Sequence, residues 1–185
     1  MKVKKTLNGL GRKQAGAAIY QVMLGILVGA MFLYLAVTQF NDSMKKSRIE
    51  TATQEVIQIV STTQRMYGYS NQYNQVTTAI AVKGGAVPEH RRVAGTDTAQ
   101  NNYNGQILFE PATINTANDS LRLTYSNVRG ADCQQLIQNT ESLARQVMVG
   151  STQVKPTDAP VTLSTLATAC DVTGTVDVSW IISRG

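Results

Sequence analysis

A long uncharged stretch near the start of the chain is the strongest pattern in the sequence. No Asp, Glu, Lys or Arg occurs between Lys13 and Asp42. As a helix, residues 17–40 would be about 36 Å long, which exceeds the roughly 30 Å of a bilayer's hydrocarbon core. The apolar core of a secretory signal is shorter, at about 7–15 residues. The pattern therefore predicts a helix that spans a membrane.

The pattern becomes amphipathic after the uncharged stretch. Apolar residues recur at spacings of three and four, which is typical of a helix with one buried face. Because no Gly or Pro occurs from Ala30 to Tyr67, we predict one continuous helix from about Ala17 to about Met66. Gly68 is the predicted C-terminal cap. The apolar stripe consists of Ile49, Ala52, Val56, Ile59, Val60, Thr63, Met66 and Tyr67.

The remainder of the chain predicts a small head of mixed structure. Residues 68–105 read as loops with a short apolar turn at 76–82, and no regular crossover helices separate the strand candidates. An antiparallel sheet is therefore expected. The fold class is α+β, with the long N-terminal helix packed on this sheet. The predicted strands are 106–110, 121–125, 145–149 and 176–182, and the predicted helices begin at Asp132, as an N-cap, and near Leu163.

Basic residues are concentrated ahead of the uncharged stretch. Five of the seventeen Lys and Arg residues lie in residues 1–13, and the remaining twelve are balanced by twelve Asp and Glu. A nucleic-acid surface needs clustered Lys and Arg, so none is expected, and His90-Arg91-Arg92 is interpreted as a solvated loop. Basic residues flanking a membrane helix tend to stay in the cytoplasm. The N-terminus is therefore predicted inside and the head outside.

Two cysteines and one histidine limit the available chemistry. Outside the cytoplasm, Cys133 and Cys170 are expected to form a disulfide, whereas two buried thiols would require a reducing compartment. The sequence contains no paired metal-ligand spacing and no Walker-type, GxGxxG, GxSxG or HExxH motif. We predict no enzymatic activity, no metal and no cofactor.

Three glycines near the N-terminus each allow two interpretations. Gly16 separates the basic segment from the apolar run, where a small residue suits a peptidase site but also suits a simple helix start. Gly25 and Gly29 form a small-xxx-small pair, with Gln21 one turn earlier. This spacing permits close approach of two helices, although glycine is also generally frequent in membrane helices.

Together these features resemble a type IV pilin. The basic leader ends at Gly16, the uncharged run begins at Ala17, one helix continues as an amphipathic segment, and two cysteines lie late in the chain. The cysteine contexts ADCQQLIQ and ATACD, the terminal strand and the leader length resemble the type IVb branch, including the thin pili of conjugative plasmids. The resemblance covers nearly the whole chain.

The resemblance implies processing followed by polymerisation. A prepilin peptidase would cleave between Gly16 and Ala17, and the new amino group of Ala17 would be methylated. The chain would then divide into a leader (1–16), a membrane and filament-core half-helix (17–41) and a head (42–185). Its partners would be membrane lipid before assembly, the peptidase, the inner-membrane assembly machinery and identical subunits in an extracellular pilus.

One position departs from the family pattern. The family usually carries Glu as the fifth mature residue, and this chain has Gln21. A carboxylate can pair with a neighbour's N-terminal ammonium, whereas Gln offers a neutral and typically weaker hydrogen bond. Assembly is therefore assigned to Gln21, Gly25 and Gly29 together.

The predicted function is that of a structural subunit, the major pilin of a type IVb pilus used for adhesion or mating contact. A minor pilin or tip adhesin is one alternative. A monomeric, signal-anchored binding module is another, since the loops at 67–75 and 100–104 are rich in Tyr and Asn.

Overall fold

The computed structural model describes residues 14–68 and 73–183, with side chains from Ile19 onward. The predicted cleavage and methylation positions, Gly16 and Ala17, are therefore described only as helical backbone. The chain divides into two compact units between Met44 and Lys45. We refer to the residues from Lys45 onward as the head unit.

The first element is the long helix that the sequence predicts. α1 runs from Gln14 to Thr63 and is followed by a π-helical turn at Gln64–Gly68. The predicted left-handed cap at Gly68 is wrong, because Gly68 belongs to the π turn and its φ lies outside the left-handed region. A Cβ there would lie 3.0 Å from the Tyr73 hydroxyl, so close packing rather than a special φ accounts for a small residue.

A five-stranded antiparallel sheet forms the body of the head unit. The strand order is β1-β2-β5-β3-β4, so the last strand in sequence is central. Its second half is buried from Val178 to Ser183, as expected for a strand covered on both faces. The sequence analysis missed β4, a short edge strand in which only Val154 is buried. The strands are β1 Ile107–Ala112, β2 Ser120–Arg129, β3 Gln146–Val149, β4 Thr152–Lys155 and β5 Thr175–Ser183.

Three shorter helices complete the head unit. α3 begins at Gly130, not at Asp132, because Gly130 allows a backbone approach in which a Cβ would lie 2.4 Å from the Val172 carbonyl oxygen. Asp132 is therefore inside the first turn of α3 and is not the predicted N-cap. The predicted apolar turn at 76–82 is a helix. The helices are α2 Thr78–Gly84, α3 Gly130–Thr140 and α4 Leu163–Cys170.

The amphipathic half of α1 supplies one wall of the core. The predicted stripe is confirmed from Ile49 to Thr63, whose members are at most 1% exposed, but it is wrong at Met66, which is 37% exposed beyond the end of α1. On the sheet, Tyr125 and Trp180 pack edge to face with ring centroids 5.7 Å apart. The fold class predicted from the sequence, a long helix on an antiparallel sheet, is confirmed.

The outer edges of the sheet carry local hydrogen bonds. On β1, the backbone N–H of Phe109 donates to the Thr78 hydroxyl of α2 at 2.9 Å. On β4, the carbonyl of Val154 accepts from the N–H of Thr162 at 2.9 Å. Pro111 also lies in β1, and proline on an edge strand reduces pairing with further strands. These devices disfavour association of heads by strand addition.

A disulfide joins Cys133 of α3 to Cys170 at the end of α4, with Cα atoms 5.7 Å apart. The two half-cystines are 0% and 6% exposed, respectively. The bridge fastens the start of α3 to α4 and closes the segment that contains β3 and β4.

The double variant Cys133→Ser/Cys170→Ser is predicted to lose about 4 kcal/mol of unfolding free energy, because the closed loop limits the unfolded chain. Urea unfolding of the intact protein in detergent would measure the difference, with reduced wild-type protein as the control. A variant as stable as the oxidised wild type would contradict this prediction.

Candidate assembly surface

The first half of α1 exposes an unusually large apolar surface. Between Ile19 and Phe40, fifteen large apolar or aromatic side chains are 45–70% exposed. The most apolar part of the helix has a mean hydropathy of 2.0 and no buried residue. By length and composition this helix can cross a membrane. Water is a poor solvent for such a surface, so lipid or other protein chains are needed to cover it.

The predicted assembly residues share one side of this helix. Gln21, Gly25 and Gly29 follow one another at four-residue spacing, which places them along a single helix face. No atom lies within 4 Å of the position that a Cβ would occupy at Gly25 or Gly29. The glycines therefore form an open shallow groove in which another helix backbone can approach closely. Their role in assembly remains a prediction.

An ion pair fixes the amphipathic half of α1 at its entrance to the head unit. Arg48 Nε donates to Asp132 Oδ2 at 2.7 Å, and Asp132 is 1% exposed. The Arg48 guanidinium also lies 5.9 Å from the centroid of the Tyr103 ring. Sequence analysis did not identify this pair, whose members are 84 residues apart. A buried carboxylate without its cation would be costly, so the pair specifies how α3 docks on α1.

A second ion pair lies further along α1. Glu55 is 4% exposed, and its carboxylate accepts a hydrogen bond from Arg91 and a longer one, at 3.4 Å, from the Tyr125 hydroxyl. The interpretation of residues 90–92 as a solvated loop is therefore wrong for Arg91. Arg92 also has a structural role, since it donates twice to the Val87 carbonyl, at 3.0 and 2.9 Å. His90 is exposed, as expected.

The connection between β1 and β2 is closed by one carboxylate. Asp119 accepts hydrogen bonds from the backbone N–H groups of Ile114, Asn115 and Thr116, each at 2.8 Å. These bonds hold the pKa of Asp119 well below its usual range. The neighbouring Ser120 is buried and donates to Asp119, so the formal glycosylation sequence beginning at Asn118 has an occluded hydroxyl.

Metal and catalytic chemistry gain no support from the side chains that the structure describes. Within these residues, no group of three or more His, Cys, Asp and Glu side chains could hold a metal ion. The buried charges are used in pairs that join secondary-structure elements, as at Arg48 and Glu55. The prominent surface is the apolar helix.

Comparison with known proteins identifies the family. The family model described as PilS N terminal matches residues 46–183, which is most of the chain and nearly all of the head unit. The chain belongs to the PilS family. Its fold is that of the type IVb pilins, and these proteins are pilus subunits with a structural role.

Two solved structures show the same fold. The chain resembles the type IVb pilin from Salmonella typhi with a TM-score of 0.58 and 19% identity, and TcpA, a type IV pilin from the El Tor biotype of Vibrio cholerae, with a TM-score of 0.55 and 14% identity. Each similarity covers 74% of this chain and 99% of the other. No curated protein sequence matches the PilS chain significantly.

The variant Asp119→Asn is predicted to lose roughly 1 kcal/mol of unfolding free energy at pH 7, a low value for bonds to a charged group because the carboxylate is partly exposed. The folded-state pKa of Asp119 is depressed, so its contribution is present above the usual carboxyl pKa and is lost as pH falls through the folded pKa. The difference from wild type should therefore shrink below about pH 4.

Urea unfolding at several pH values would measure this effect. Asp97→Asn is the matched control, since Asp97 pairs with Lys83 on the surface and is 48% exposed. Equal pH profiles for the two variants would refute the role assigned to Asp119.

Proposed function

We propose that this PilS-family chain is the major subunit of a type IVb pilus and polymerises through the first half of α1. The exposed apolar surface from Ile19 to Phe40 carries this proposal, because a soluble monomer could not leave it uncovered. In the membrane, lipid tails cover the helix. In the filament, the same helices from neighbouring copies cover one another.

Processing precedes assembly in this proposal. A prepilin peptidase cleaves between Gly16 and Ala17, and the amino group of Ala17 is then methylated. The basic segment at residues 1–13 stays in the cytoplasm, and the head faces outward from the inner membrane. After extraction by the assembly machinery, the subunit becomes part of an extracellular filament whose heads make adhesive or mating contacts.

The assembly contact depends on packing more than on charge. Gln21 is a neutral residue on an exposed apolar helix, and it costs less to bury than a carboxylate would. Gly25 and Gly29 leave room for a neighbouring backbone on the same face. The contact thus combines a neutral hydrogen-bonding side chain with close helix approach.

Mass spectrometry of subunits taken from purified filaments tests the function directly. The proposal predicts a mature chain that begins with methylated Ala17. Filaments built from chains that retain Met1 to Gly16, or an absence of this chain from filaments made by the native cells, would refute it.

The variant Gly25→Leu is predicted to reduce filament yield by roughly tenfold, which corresponds to about 1.4 kcal/mol lost at the helix contact. Leu favours the helix more than Gly does, so α1 itself should remain intact. Electron microscopy and quantification of sheared filaments would measure the yield, with total membrane-bound subunit as the reference.

Ala30→Leu is the matched control, because Ala30 is exposed on a different side of the same helix. Its filament yield should stay near that of the wild type. If both variants reduced the yield equally, the assignment of the contact to the glycine face would be wrong.

A further inference from the structure

Three elements of the head unit meet around Arg48. Its guanidinium pairs with Asp132 of α3 at 2.7 Å and lies 5.9 Å from the centre of the Tyr103 ring. Its backbone carbonyl accepts a hydrogen bond from the Asn102 side-chain nitrogen at 2.7 Å. The loop that contains Asn102 and Tyr103 is thereby held against both α1 and α3.

Three oxygen atoms in this neighbourhood are buried without a hydrogen-bond partner among the described residues: Asp132 Oδ1, Tyr103 Oη and Asn102 Oδ1. Asp132 is 1% exposed and Tyr103 is 6% exposed, so bulk water does not reach them freely. The Arg48 guanidinium beside Tyr103 can only donate, which leaves the phenol proton without an acceptor there. Buried polar atoms are nearly always hydrogen-bonded, so these oxygens imply an additional ligand.

The chemistry of the three oxygens identifies the ligand class. The carboxylate and amide oxygens accept hydrogen bonds only, whereas the phenol can donate one. The ligand must therefore offer two donors and one acceptor, and a water molecule has this combination. A cation is disfavoured because Arg48 already occupies the positive position beside Asp132, and an anion would repel the two accepting oxygens.

We propose that an internal water molecule binds at this point, donating to Asp132 Oδ1 and Asn102 Oδ1 and accepting from the Tyr103 hydroxyl. The water joins the loop at 102–103 to the start of α3. Burial, with Asp132 nearby, raises the pKa of Tyr103, so the phenol keeps its proton and remains a donor at physiological pH.

The site has a structural consequence for the head unit. Asp132 is adjacent to Cys133, which carries the disulfide to α4. The water and the Arg48 ion pair therefore hold the same helical turn that the disulfide fastens from the other side. This inference concerns the head unit alone and does not depend on polymerisation.

A structure of the intact protein at a resolution that reveals ordered water tests the proposal. A peak is expected within about 2.5–3.2 Å of both Asp132 Oδ1 and Tyr103 Oη. In Tyr103→Phe the peak should be lost or displaced. It should persist in the matched control Tyr125→Phe, which removes a hydroxyl bonded to Glu55 elsewhere in the core. A direct bond between Tyr103 and Asp132, or a dry gap, would overturn the proposal.

Equilibrium unfolding supplies a second readout with a defined sign. If water satisfies the Tyr103 hydroxyl, Tyr103→Phe should raise the unfolding constant about fivefold. If the hydroxyl is buried without a partner, its removal should leave the unfolding constant unchanged or lower it. Either of the latter results contradicts the water site.

Discussion

The removal of one apolar helix from water is the constraint on which the rest of the structure depends. Side chains from Ile19 to Phe40 are exposed around the helix, whereas those from Ile49 to Thr63 are buried on one face. The first half therefore needs an apolar environment supplied by other molecules, and the second half finds one in its own head. One continuous element thus meets two different environments.

The head is organised so that the helix keeps a fixed position. The apolar stripe provides most of the contact, but apolar packing alone is not directional. The pairs Arg48–Asp132 and Glu55–Arg91 lie seven residues apart on α1 and bind α3 and the segment before β1. Because each buried carboxylate requires its own partner, these pairs favour a single register of the helix on the sheet. The disulfide then fastens α3 to α4.

The sequence predicts those features that depend on local periodicity. The uncharged run, the stripe that includes Val56 and Val60, and the alternation in β5 all follow from spacing. Glu55 and Asp132 were not recognised as buried because a charged residue on a helix normally faces solvent, and their partners lie 36 and 84 residues away. β4 was missed because four residues with a single buried side chain give almost no pattern. The common face of Gln21, Gly25 and Gly29 follows from helix geometry, but what covers it depends on other molecules.

The central claim concerns what covers the first half of α1, and photo-crosslinking can test it directly. A photoreactive phenylalanine analogue at Phe32, which is 67% exposed, would report its neighbours in cells that assemble pili. The account predicts crosslinks to lipid in the membrane pool and crosslinks to the same helix of another copy in sheared filaments. Crosslinks to lipid alone, in processed subunits from cells that are actively assembling pili, would contradict it.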